Sequence, residues 1–222
     1  MKGNILKKFF SKEYIEFILF HSKIISLDPG DYLFKTGDQT TGIFILNSGK
    51  LKVSTSALNN TERIIRIVTN HEIVGHRGFG GEWKYTISAI AMEKCELLEI
   101  PLKIFDMAFR THPDFAYFMM IFFADELRQS EEFAVQLPIR NVIASVLYTN
   151  LKTFGYAEGS STMLSYSLSR KDLAGQAGTR YETIVRTLAD FNNDKIIKIE
   201  GKSIHILDEK KLFELKEGIR QT

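Results

Sequence analysis

The sequence predicts an α+β chain with three parts in order: an N-terminal antiparallel β-roll, a long central helix and a C-terminal winged helix-turn-helix. Three observations predict it. Short β-rich runs between Ile24 and Pro101 are separated by Pro-Gly, Thr-Gly, Ser-Gly and Asn-Asn turn signals. A helical stretch over 113–137 follows, apolar nearly all round in its first half. Residues 167–192, SLSRKDLAGQAGTRYETIVRTLADFN, then give two short helices broken at a glycine.

Taken in order, residues 11–21 form a short N-terminal helix. The runs IISLDPGDYLFKTGD, GIFILNSGKLKVSTS, RIIRIVTN and YTISAIAMEKCELLEIP are strands. Their number and spacing suit an antiparallel barrel or roll. Gly30, Gly37 and Gly49 fall where tight reversal or positive φ is needed. Residues 102–110 form one short helix, and a long one starts at Pro113, with Asp114 in its first turn, and runs to Leu137. Pro138 restarts a helix over 139–154, ended by Gly155, and YAEGSS at 156–161 is a surface loop. IIKIE and SIHIL are joined by Gly201-Lys202, a two-residue hairpin with glycine first, as a type II′ turn prefers. The resulting domains are 1–112, 113–137 and 138–222.

The length of 222 residues, 44% hydrophobic and 12% aromatic, suffices for real cores in two small domains or one large one. Net charge is only +2, so bulk charge names no partner. The chain from Pro138 onward carries 13 Lys/Arg against 10 Asp/Glu, and the rest 16 against 17, a mild basic bias at the C-terminal end. The lone cysteine, Cys95, excludes an internal disulfide and a four-thiolate metal or iron–sulfur site; a buried structural thiol is expected. No signal peptide is read at the N-terminus. FAYFMMIFFA, 115–124, is about half the length that spans a bilayer. A cytoplasmic protein without a membrane partner is expected.

The helix-turn-helix carries the functional signal. Ser169 caps a first helix with apolar Leu173, Ala174 and Ala177, and Gly178 breaks it. Thr179, with Glu182 three residues on, has the spacing of a capping box for the second helix. Ile184, Leu188 and Phe191 make a buried stripe. Glu182, Val185 and Arg186 share another face near the N-terminal end, where a recognition helix presents side chains to base edges. An ordinary helical hairpin is the plainer reading of the same pattern.

GIFILNSGKLKV (42–53), AIAMEKCELLEIP (89–101) and LSRKDLAGQAGTRYETIVRTLADF (168–191), with GKSIHIL and DEKKL after them, resemble the cyclic-AMP receptor protein/FNR superfamily of bacterial transcription regulators. The resemblance runs from Leu27 to Leu212. It implies a cyclic-nucleotide-binding-like roll, a dimerisation helix, double-stranded DNA and RNA polymerase as partners, and a palindromic site. Arg180, Tyr181, Glu182 and Arg186 are then the base contacts. Ser169, Arg170, Thr179 and Lys202 are the backbone contacts, which position without specifying sequence. The Glu182/Arg186 pair goes with a TGA core in each half-site. Members often carry Arg where Tyr181 stands, so a TTGA-like site is expected. The seam of a homodimer is expected at Met120, Ala124, Leu127 and Ala134.

The departures bear on the effector. In cyclic-AMP-binding members a Gly-Glu pair holds the ribose, an Arg-Ser pair the phosphate, and a Thr-Ser pair the adenine. These fall on Gly75-His76, with Arg77 next, on Tyr85-Thr86, and, counted without gaps, on Leu127-Arg128. A lost charged pairing costs on the order of 2–5 kcal/mol, so cyclic AMP is not expected as a ligand. Gly75, His76, Arg77, Tyr85, Thr86, Leu127 and Arg128 remain a candidate pocket in which Arg77 and Thr86 hold some other anion. The alternative is a relic filled by its own side chains. His71 and His76 lie five residues apart with no supporting acid or thiol in the sequence pattern, so neither haem nor a metal site is expected. No catalytic constellation is present, so an enzyme is not expected. The leading reading is a DNA-binding regulator modulated by an unidentified small molecule in the roll; the alternatives are a ligand-independent regulator controlled by abundance and an adaptor that has lost DNA binding.

Overall fold

The computed structural model describes residues 5–56, 62–132 and 137–218. The chain divides into two compact units, Met1–Ser56 with Ile65–Ala134, and Ala57–Ile64 with Val135–Thr222.

The first unit opens with α1 (Ile5–Phe9) and α2 (Lys12–His21). Ser11 separates them: its hydroxyl accepts from the Tyr14 N–H and caps α2. The extra helix α1 is too short to show a period in sequence. It is held by packing, with Leu6 and Phe10 buried among aromatic rings. Strands β1 (Lys23–Leu27), β2 (Tyr32–Phe34), β3 (Gly42–Ser48), β4 (Leu51–Ser56), β5 (Glu62–Val68), β6 (Ile73–Val74), β7 (Ser88–Ala91) and β8 (Cys95–Pro101) follow. They form two four-stranded sheets, ordered β1-β8-β3-β6 and β2-β7-β4-β5, the expected roll. The run GIFIL explains the arrangement. Ile43 and Ile45 face one core with the N-terminal helices, and Phe44 and Leu46 face the core of the other sheet. A strand buried on both sides reads as a continuous apolar run. Gly30, Gly37 and Gly49 all take positive φ. At Gly49 a Cβ would also meet Lys94 O at 2.5 Å, so no other residue fits. Cys95 is buried and donates to the carbonyls of Lys50 and Glu93, and burial pushes its pKa up.

Helix α3 (Leu102–Thr111) leads to α4 (Pro113–Glu132). Phe115 and Met119 of α4 are buried among α1, α2 and α3, while Tyr117, Met120, Ile121 and Leu127 are exposed. Ala124 is half-buried, and Ala134 lies outside the described residues. The expected end of this helix at Leu137 is corrected: Leu137 is not helical. Pro138 clashes with a helical residue before it.

The second unit contains α5 (Ile139–Phe154), α6 (Arg170–Ala177), α7 (Tyr181–Asn193), the antiparallel pair β9 (Ile197–Glu200) and β10 (Ser203–Ile206), and α8 (Glu209–Glu217). In the hairpin tip Gly201 has φ +58 while Lys202 does not join it at positive φ, which fits type II′. Among the described residues, no helix is long and apolar enough to cross a membrane.

Candidate nucleic-acid interface and β-roll site

Ser169 caps α6 as expected: its hydroxyl accepts from the Asp172 N–H at 3.1 Å. Gly178 closes that helix in the left-handed region, φ +62, and its N–H and that of Thr179 return to α6 carbonyls. The expected capping box at the next helix is not formed. Arg180 is the N-cap of α7 and no side chain caps it. Thr179 sits one residue too early, because the Gly178 turn uses its N–H to close α6. Glu182 is therefore free of capping, and among the described residues it makes no hydrogen bond or ion pair.

One side of α7 is locked. Ile184, Leu188 and Phe191 are at most 1% exposed. Arg140 stacks on Phe191 and pairs with Asp194, just past the helix end. The other side is open: Tyr181, Glu182, Val185 and Arg186 are exposed. Glu182 and Arg186 stand one turn apart and form no ion pair with each other. The locked stripe thus lies behind an exposed face that carries one carboxylate and one guanidinium. Arg180 is exposed at the N-cap, and Arg170 is half-buried near Tyr181. Lys202 is exposed at the hairpin tip, and Glu200 at the end of β9 pairs with Lys198.

The candidate pocket of the roll is arranged differently from the sequence expectation. Tyr85 is a core residue, stacked on Phe34 at 3.9 Å, with its hydroxyl donating to Gly42 O. Thr86 is exposed, as is Arg128, which pairs with Asp125 on its own helix. Leu127 is 61% exposed. Within this chain neither residue therefore meets His76 or Arg77. The residue that meets His76 and Arg77 is Glu126. Gly75, at φ +91, starts a 3₁₀ turn over His76–Gly78 that aims both side chains at it.

Glu126 Oε1 accepts from Arg66 Nη1 at 2.6 Å; Oε2 accepts from His76 Nε2 at 2.8 Å and Arg77 Nε at 3.0 Å. Burial alone would raise the Glu126 pKa. The bond from His76 and the charges around the carboxyl outweigh it and hold the value at about 2. Burial lowers the pKa of His76, and Arg66 and Arg77 add to that against the pull of Glu126. An ionised carboxylate only accepts, so the imidazole proton sits on Nε2. His76 packs edge-on against Phe122 and Phe123. Sequence does not mark Glu126 or Arg66, because nothing local signals a carboxylate 60 residues from Arg66 and 49 from Arg77. Among the described residues no cluster of three metal-ligating side chains occurs.

Residues 24–112 match the model of the cyclic nucleotide-binding domain, and 143–215 that of the Crp-like helix-turn-helix domain. The transcriptional activator protein Anr of Pseudomonas aeruginosa is 30% identical over 196 residues, covering 86% of this chain and 80% of the relative. In fold, the chain is similar to CooA from Carboxydothermus hydrogenoformans, with a TM-score of 0.78 at 20% identity over 97% of each chain. It is also similar to FixK2 from Bradyrhizobium japonicum, with a TM-score of 0.77 at 16% identity over 87% of this chain and 96% of the other. With both domain models matched in this order and a regulator aligned across both, the chain belongs to the cyclic-AMP receptor protein/FNR superfamily of transcription regulators.

Proposed function

We propose that the protein is a homodimeric regulator that reads a palindrome built on TGA…TCA and does not use cyclic AMP. The observation that carries the reading is the open Glu182/Arg186 face on a helix locked from behind. Glu182 accepts from a cytosine amino group, and Arg186 donates in a fork to guanine O6 and N7. Arg180 and Tyr181 flank them, and Ser169, Arg170, Thr179 and Lys202 meet phosphates. A second copy supplies the second head, with half-sites about one helical turn apart. At the promoter the dimer engages RNA polymerase. It is not an enzyme and carries no haem or iron–sulfur cluster.

The test is selection from a random double-stranded DNA library. Enriched sites with a TGA core in inverted repeat are the expected result. Sites without that core, or no enrichment, refute the assignment. Of the two regulatory readings, abundance control is favoured over an effector. Arg77, the group offered to an external anion, already holds a carboxylate of its own chain. Calorimetry that returns a micromolar constant for cyclic AMP would contradict this.

A further inference from the structure

Helix α4 has two faces. Phe115, Met119 and Phe122 pack inward, and Tyr117, Met120, Ile121 and Leu127 face outward. Glu126 lies nine residues after Tyr117, about two and a half turns, and so projects opposite that outward stripe. Its carboxylate crosses to the roll and joins three groups from two places: Arg66 on β5, and His76 and Arg77 on the turn after β6. Arg66 also donates to Ile73 O at 2.7 Å, so the carboxylate is tied into the sheet backbone through it. The side chains of Arg66 and Arg77 are only 23% and 29% exposed. Two such cations gathered on one point repel each other unless an anion lies between them.

We propose that Glu126 is the resident counter-ion of the β-roll, a positioning residue whose carboxylate fixes the outward face of α4 without a bound effector. An external anion entering this site would have to displace a carboxylate that already holds three charge-assisted bonds. The orientation of the outward stripe is then set by the fold itself, and DNA binding needs no ligand. The chemistry of the site stands on its own; the consequence for DNA rests on the homodimer reading above.

Glu126→Ala removes a fragment equivalent to acetate and leaves Arg66 and Arg77 around the gap. The full-length wild type, E126A and E126Q are compared in chloride and in acetate at equal ionic strength. Thermal melting and affinity for the selected DNA are both measured. E126A should melt lower than wild type in chloride and bind DNA about tenfold more weakly, a typical coupling between separate sites. Acetate should recover part of both losses and leave the wild type unchanged. E126Q keeps the volume without the charge; it should be weakened in both salts, with no rescue, because its amide fills the gap. If E126A does not fold in either salt, E126Q decides the matter. Wild-type DNA affinity in E126A or E126Q, or an acetate response equal in E126A and wild type, overturns the proposal. Wild type that binds no DNA is a separate result. It defeats the regulator reading, while melting and acetate rescue still test the counter-ion.

Discussion

His76 donates from Nε2 to Oε2 of Glu126 at 2.8 Å, joining the turn after β6 to the inner face of α4. The bond has a definite proton: it sits on the imidazole, because the carboxyl beside it stays ionised down to about pH 2. Both partners therefore resist protonation in the folded chain, and both make the fold sensitive to acid.

The pH dependence follows from the sign of the two shifts. Each folded pKa lies below its ordinary value, 6.5 for His76 and 4.5 for Glu126. The unfolded chain then binds protons first, and stability is lost on acidification. The His76 contribution is present above pH 6.5 and fades below it; that of Glu126 is lost between pH 4.5 and about 2. The Glu126 part is on the order of 3 kcal/mol. Denaturant titrations across this range should show the low-pH decline in wild type and a weaker one in E126Q. Parallel curves below pH 4.5 would show the carboxyl to be unimportant.

Gly178→Ala tests the turn between α6 and α7. A Cβ there meets nothing within 4 Å, so no clash arises. The cost is confined to the left-handed backbone at φ +62, about 1–2 kcal/mol. A urea midpoint shift of that size should accompany an unchanged base preference. A neutral substitution would mean that the turn relaxes.

The base contacts separate from the backbone contacts by their signatures. Arg186→Ala should cost roughly 1–3 kcal/mol and relax preference at the guanine. Lys202→Ala should weaken all sequences alike and lower the salt slope by about one unit. Tyr181→Arg should move preference toward GTGA. Quantitative binding to a panel of single-base variants checks all three, and an Arg186→Ala protein with intact preference contradicts the assignment.

The outward face of α4 gives a test of assembly. Leu127→Glu at a 61% exposed position should leave the fold of one chain intact. It would bury a charge in a paired seam, so the variant should sediment as a monomer where wild type is a dimer. A wild-type monomer at micromolar concentration removes the homodimer reading.

Much of this was legible in the sequence because it depends on local chemistry. Short β-rich runs, turn glycines and prolines give the order of roll, long helix and winged helix-turn-helix. The 3.6-residue period by itself separates Ile184, Leu188 and Phe191 from Glu182 and Arg186, because a helix sorts its faces by spacing alone. The capping box was legible and wrong: spacing allowed Thr179 to cap, but closing α6 used its N–H and left Arg180 at the helix start. The roll site lay beyond local reading altogether. An ungapped count points to Leu127 and Arg128, and on a helix each residue beyond Glu126 turns the side chain by about 100°. Which carboxylate lies between Arg66 and Arg77 is set by how α4 packs on the sheet. Phe115, Met119 and Phe122 choose that rotation by burying their rings and thioether, and Glu126 follows them inward. Side-chain identity and period belong to the sequence. The meeting of charges from distant segments is decided only when the apolar faces have packed.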